Sequence, residues 1–134
     1  MKIGLDVHKV IDKYPDIFEE YSGEWNASGH EIHIVTGQER SVVEPLVHSL
    51  NITFTHFYSI VDYHKKIGTK IWQDDKRGPG VWMAPEDWLP SKGIYARDVG
   101  LDFHFDDSLE YAKYFPSTCS FVLVRDGFEK ILEL

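Results

Sequence analysis

The order of elements predicts an α/β fold: a mostly parallel central sheet, covered by helices into a three-layer sandwich, with a small inserted flap. Three observations carry this expectation. Short β-rich runs alternate with helical stretches along the chain, the pattern of parallel strands joined by crossover helices. Three of the apolar runs end on polar groups, at Asp6, at Thr36 and at the pair Asp106-Asp107. Parallel sheets bind ligands beyond the carboxyl ends of their strands, so these residues are expected along one edge. Finally, residues 70–91 break the rhythm with three tryptophans around a Gly/Pro turn, as an inserted hairpin or flap does.

The elements follow in order. Residues 2–6 read as a strand that stops on Asp6. Pro15 to Ala27 reads as a helix, because Pro15 suits a first turn and Ile17, Phe18, Tyr21 and Trp25 recur at helical spacing. "EIHIVTG", 31–37, is a strand ending on Thr36-Gly37. Residues near 41–50 form a second helix, which Pro45 is expected to delay. "ITFTHFYSI", 52–60, is a third strand, rich in β-branched and aromatic residues. "VDYHKKIG" reads as a short helix or a loop. A helix near 91–98 is closed by Gly100, and "LDFHF", 101–105, is a fourth strand. A helix near 108–114, a fifth strand at 121–124 and a short final segment at 128–134 complete the chain.

Length and composition bound the possibilities. A chain of 134 residues fits one domain spanning 1–134, with the flap at about 70–91. Its net charge of −8 argues against bulk attraction to nucleic acid or to an anionic membrane. No apolar run reaches membrane-spanning length. The single cysteine, Cys119, makes no internal disulfide and reads as a small buried hydrophobe. A cytoplasmic protein is expected.

Three carboxylates gathered at one edge repel each other in a dry pocket. A hard divalent cation such as Mg²⁺, which takes oxygen ligands, makes the gathering favourable. Asp6, Asp106 and Asp107 are therefore candidate metal ligands. The plainer alternative is that each Asp caps a turn, and Asp107 before "SLEYAKY" is placed to do so. "HEIH", 30–33, lacks the spacing of a two-histidine zinc helix, and His104 lies inside a strand. None of these histidines is assigned to metal.

The ordered set "IGLDVHKVI", "IHIVTG", "SKGIYARDVGLDFHF" and "HFDDS" resembles the four motifs of the haloacid dehalogenase-like superfamily of phosphotransferases. The resemblance runs across nearly the whole chain and is closest to a small member with a minimal cap and a Rossmann-like domain. It implies a Mg²⁺-dependent phosphatase. Asp6 would be the nucleophile and form an aspartyl-phosphate, a covalent route that splits one hard displacement into two easier ones. The metal would be held by Asp6, the backbone carbonyl of His8, and Asp106 or Asp107 or both. Thr36, Gly37 and Lys92 would bind the phosphoryl group, with Thr36 and Lys92 stabilising its charge. Lys65, Lys66 and Lys70 lack the matching context before the fourth strand.

The motif departs at one place. Most phosphatases of this family carry a second Asp where this chain has His8, and that Asp moves the protons. An imidazole, with a reference pKa of about 6.5, is able to transfer protons near neutrality. The alternatives are a persistent aspartyl-phosphate, or a binding or regulatory protein in which catalysis is weakened. The expected partner is a small phosphorylated substrate, a nucleotide or another metabolite. The tryptophans of the insert, Trp72, Trp82 and Trp88, either pin the insert, form an oligomer contact or stack on a base or sugar. A receiver domain is disfavoured, because its acidic pair lies at the first strand. A nucleoside-triphosphate kinase is disfavoured because "RGPGVW" lacks the Gly-Lys-Ser/Thr of a phosphate loop.

Overall fold

The structure, a computed structural model, describes residues 1–78 and 80–133. Its strands are β1 (Lys2–Leu5), β2 (Glu31–Thr36), β3 (His56–Ser59), β4 (Phe103–Asp106) and β5 (Ser120–Leu123). They form one five-stranded sheet of order β3-β2-β1-β4-β5, with every pairing parallel. The helices are α1 (Pro15–Ala27), α2 (Arg40–Ser49), α3 (Ile60–Ile67), α4 (Pro85–Trp88) and α5 (Ser91–Val99). The fold is α/β, with an all-parallel sheet flanked by helices.

Strand alternation divides the core. Ile3 and Leu5 of β1 join Ile32 and Ile34 of β2, Phe18 of α1, and Val43 and Val47 of α2. The intervening Val35 packs instead with Ala96 of α5, Leu101 and Cys119. β1 and β2 are covered on both faces, so after its first residue each is buried throughout rather than alternating with exposed positions. β1 is the middle strand, so the chain that leaves it emerges at the centre of the carboxyl edge.

Several boundaries differ from the sequence expectation. α2 begins at Arg40, with Pro45 inside it. The first bonds run from Val42 and Val43 N–H to the Glu39 carbonyl, so the helix is already turning before the proline forfeits its own donor. β3 is shorter than 52–60, because Ile52 to Phe54 are not paired as strand. The Thr55 hydroxyl accepts the Ile32 N–H at 2.9 Å, taking up a backbone donor ahead of the strand register. The stretch after Ser59 is a helix with a side-chain cap, the Ser59 hydroxyl accepting the Asp62 N–H. Residues Leu109–Tyr114 form a tight 3₁₀ turn rather than an α-helix, and so do Phe128–Glu133.

In the 70–91 stretch, Trp72 and Trp82 form one antiparallel bridge, each N–H donating to the other's carbonyl at 3.0 and 2.7 Å. Ile71, Val81, Met83 and Trp88 pack against Ile60 and Val61 of α3. Pro79 in this stretch, and Leu134 in the final segment, lie outside the described residues. No helix among the described residues is long and apolar enough to cross a membrane.

Gly93 fixes the approach of α5 to the Leu109–Tyr114 turn. A Cβ at Gly93 would lie 2.1 Å from the Tyr114 carbonyl oxygen, a backbone atom that has little room to give. Gly93→Ala is expected to destabilise the fold by about 1–3 kcal/mol through overpacking. Gly23→Ala, in α1 with nothing near the added methyl, is expected to stabilise it by about 0.5–1 kcal/mol through helix propensity. Urea denaturation of both variants checks the contrast, and similar effects in the two would contradict it.

Candidate active site

Asp6 is the first residue beyond β1. Its N–H donates to the Phe105 carbonyl of β4 at 3.0 Å, so the backbone is still held by the sheet where the carboxylate projects. The side chain accepts the Val7 N–H at 2.9 Å. The chain then makes one wide turn over Val7–Ile11, closed by Asp12 N–H to the Val7 carbonyl at 3.2 Å. Within it Lys9 adopts φ 61°, a left-handed conformation uncommon for a side-chain-bearing residue. The Asp12 carboxylate accepts the Lys9 N–H at 2.6 Å and braces that conformation. Buried Val7, Val10 and Ile11 anchor the turn to the core.

The other expected residues gather around Asp6. Thr36 is the buried last residue of β2, and Asp106 the buried last residue of β4. Lys92, the second residue of α5, is also buried. Its ammonium lies 2.9 Å from Asp106 Oδ2 and 3.3 Å from Asp6 Oδ1. Asp6, Asp106 and Asp107 each place a carboxylate oxygen within 4.8 Å of the others. Asp6, His8, Thr36, Gly37, Lys92 and Asp107 line a cleft of about 290 Å³. Lys65, by contrast, pairs with Glu39 away from this cleft. A larger groove of about 400 Å³ lies between α3 and α5 and contains none of these carboxylates.

The charges are unevenly compensated. Burial raises the Asp6 carboxyl to about 7; the Lys92 ammonium opposes the rise, and the Asp106 charge adds to it. Burial also acts against Lys92, but the Asp6 and Asp106 carboxylates outweigh it and hold the ammonium at about 12. Asp106 goes the other way. Burial would raise it, yet the His104 hydrogen bond and the Lys92 charge hold it well below the usual carboxylate range. Asp106 therefore carries its charge and Lys92 carries its proton, while Asp6 is the group left under-compensated.

Residues that the sequence reading did not assign to the site complete it. Buried His104 places Nε2 2.9 Å from Asp106 Oδ2. Burial keeps its imidazole neutral, so Nε2–H donates to the carboxylate. With Lys92 on the same oxygen and Ser108 N–H on Oδ1 at 3.0 Å, Asp106 is held by three donors. Gly4 of β1 makes room for that ring, since a Cβ there would lie 2.6 Å from His104 Nδ1. Trp88 forms a wall: its ring lies against Gly37, where a Cβ would meet it at 2.6 Å, and its Nε1–H donates to the Tyr111 hydroxyl at 2.8 Å. Arg40 is tied to Glu44 on the surface of α2.

His8 sits at the exposed rim, with Nδ1 3.1 Å from Asp12 Oδ2 and Nε2 3.1 Å from the Gln38 side-chain oxygen. Burial opposes its charge. The hydrogen bonds to Gln38 and Asp12 and the charges of Asp12 and Asp6 outweigh that, and the imidazole titrates above its ordinary value. Two oxygen acceptors on the two ring nitrogens suit the doubly protonated imidazolium.

The donor set fits a hard divalent cation. Within the cluster of Asp6, Asp106, Asp107 and Lys92, three carboxylates against one ammonium leave two negative charges when all are ionised, and every ligand atom the three acids offer is an oxygen. Comparison of the chain with protein-family models, with curated proteins and with solved structures gives no match.

The raised Asp6 carboxyl has a stability consequence. Its folded value of about 7 exceeds its unfolded value of 3.8, so the folded chain binds the extra proton between them. The stability tied to Asp6 is fully present below the unfolded value and is lost as pH rises through about 7. The advantage of Asp6→Asn over the native chain in metal-free urea denaturation is therefore expected to grow from about pH 4 to about pH 7 and then level. An advantage independent of pH would contradict the assignment.

Proposed function

We propose that the chain is a Mg²⁺-dependent phosphomonoester hydrolase of the haloacid dehalogenase-like type, with Asp6 as nucleophile. The observation that carries the reading is the convergence of Asp6, Asp106 and Asp107 at the centre of the carboxyl edge, with Asp6 and Asp106 paired to Lys92. Asp6, the backbone carbonyl of His8, and Asp106 or Asp107 would hold the metal. When bound, Mg²⁺ supplies the charge neutralisation that lets an anionic carboxylate approach an anionic phosphate. The finer architecture belongs to the same reading: a Rossmann-like three-layer sandwich whose 70–91 insert acts as a flap over an open cleft.

The residues divide the work. The Asp6 carboxylate attacks phosphorus, the ester P–O bond breaks, and the leaving oxygen takes a proton from the His8 imidazolium. Water then attacks the phosphorus of the aspartyl-phosphate. Its proton passes to the now neutral His8, the acyl-phosphate P–O bond breaks, and inorganic phosphate leaves with the Asp6 carboxylate restored. The Thr36 hydroxyl and the Lys92 ammonium hold phosphoryl oxygens, and Lys92 stabilises the charge that spreads over them. Asp106, held by His104, Lys92 and Ser108, keeps Lys92 oriented. A small phosphorylated metabolite, including a nucleotide, fits a cleft of about 290 Å³ with Trp88 on one wall. The lone buried Cys119 is in keeping with a cytoplasmic setting.

His8 also supports a second reading, a binding or regulatory protein that keeps the pocket. The ring is engaged on both nitrogens by Asp12 and Gln38, and these bonds favour the imidazolium, so after giving its proton to a leaving group the ring regains one readily and is seldom the neutral base that an attacking water needs. An aspartyl-phosphate that outlives turnover is the expected form of that behaviour.

An assay against phosphate esters with Mg²⁺ tests both readings. Hydrolysis abolished by Asp6→Asn supports the enzyme, and hydrolysis that survives Asp6→Asn overturns it. A silent native chain rescued by His8→Asp supports the binding reading. If His8 is the proton donor, His8→Ala is expected to slow an alkyl phosphate by about 100-fold or more, and an aryl phosphate with a good leaving group much less. The alkyl rate is also expected to fall as pH rises through the raised His8 value, where the imidazolium is lost. Equal loss on both esters would show that His8 donates no proton to the leaving group.

A further inference from the structure

Away from the carboxyl edge, the β2–β3 ladder carries a second group of ligating side chains. Glu31 and His33 are two residues apart on β2 and so project from the same face. His56, the first residue of β3, is the direct cross-strand partner of His33. Glu31, His33 and His56 each bring a ligating atom within 4.8 Å of the others. His33 Nε2 lies 3.0 Å, and His56 Nδ1 3.6 Å, from the same Glu31 oxygen, Oε1. The two imidazoles are stacked, with centroids 4.2 Å apart and planes 6° from parallel. Thus one carboxylate oxygen has a nitrogen of each ring within 3.6 Å, and His33 is hydrogen-bonded to it.

We propose that Glu31, His33 and His56 form a binding site for a borderline divalent transition-metal ion of the zinc class, separate from the carboxylate cleft. Two histidines and one glutamate are a recognised three-ligand set for Zn²⁺, with water in the fourth position. The surroundings fit that use. His33 is buried, and its Nδ1 lies 2.6 Å from the Tyr95 hydroxyl of α5. A donor–acceptor partner on the far nitrogen is what fixes the tautomer and ring orientation of a metal-binding histidine, leaving Nε2 free to ligate. His56 and Glu31 are partly exposed, at 49% and 39% of their side-chain surface, so they are able to adjust and water is able to reach the ion. The Thr55 hydroxyl, 2.8 Å from His56 Nδ1, must give up that bond or leave His56 to ligate through Nε2. Among the described residues, Lys2 Nζ is the lysine paired with the group, 3.9 Å from Glu31 Oε2, and it also donates to the Val99 carbonyl.

Distance keeps the two sites apart. Glu31 opens β2 and Thr36 closes it, a span of about 16 Å at strand rise. The second ion would therefore not touch the phosphoryl cleft. It would instead tie β3, an edge strand, to β2 and to α5 through Tyr95.

Titration of the full chain with Zn²⁺ by calorimetry tests the site, with Mg²⁺ at saturation to occupy the carboxylate cleft. One saturable equivalent is expected. His56→Ala and Glu31→Gln, both at partly exposed positions, are each expected to weaken it at least tenfold, and Tyr95→Phe about tenfold. Asp107→Asn and His30→Ala are expected to leave it unchanged; His30 is included because its ring lies 2.7 Å from the terminal amine and is a rival chelator. No saturable Zn²⁺ binding by the native chain, undiminished binding in His56→Ala, or loss confined to Asp107→Asn or His30→Ala would overturn the proposal.

Discussion

One buried ammonium among three carboxylates is the constraint on which the site depends. Lys92 is buried, and a charge so placed persists only with partners. Asp106 and Asp6 are those partners, at 2.9 and 3.3 Å. To make that contact, α5 must lie close to the turn that follows Asp106-Asp107, and Gly93 permits the approach because it has no side chain. The same arrangement leaves Asp6 short of positive charge. A carboxylate in that condition is poised to accept either a proton or an electrophile with a cation beside it. Structure and chemistry are thus linked by an incomplete charge balance.

The sheet supplies the frame for this imbalance. β1 lies at the centre, and its N–H ladder continues one residue past the strand, to Asp6. Asp106 closes the neighbouring β4, and Thr36 closes β2 on the other side. Three adjacent parallel strands therefore deliver three polar groups to one edge without any loop having to reach for them. Sites built on strand ends are more rigid than sites built on loops. The one loop element that matters, the turn at Val7–Ile11, is itself braced by Asp12 and by buried Val10 and Ile11.

Much of this was legible in the sequence. The alternation of apolar runs and helical spacing sets the element order, and each strand that stops on Asp or Thr marks the edge. Lys92 stood out from Lys65, Lys66 and Lys70 only through its sequence context; burial between Asp6 and Asp106 is a tertiary fact. His104 read as a core histidine, and it is buried, but its bond to Asp106 depends on two residues of one strand sharing a face. His-x-Asp on a strand is the sequence signature of that contact. Glu31-x-His33 is the same signal on β2, and its third member, His56, needs the strand pairing to be recognised. Nothing in the sequence marks the contact of Trp88 with Gly37, which joins residues 51 positions apart. Pro45 does not delay α2, because the Glu39 carbonyl accepts the first helical bonds ahead of it.

Asp6 is short of positive charge, and a divalent cation beside it would relieve that shortage. A ¹³C NMR titration of the aspartate carboxyl carbons, with and without Mg²⁺, measures this most directly. Asp6 is expected to titrate near 7 in the metal-free chain and Mg²⁺ to lower its midpoint, while Asp106 stays ionised throughout. An Asp6 midpoint at the ordinary carboxylate value, unmoved by Mg²⁺, would contradict it.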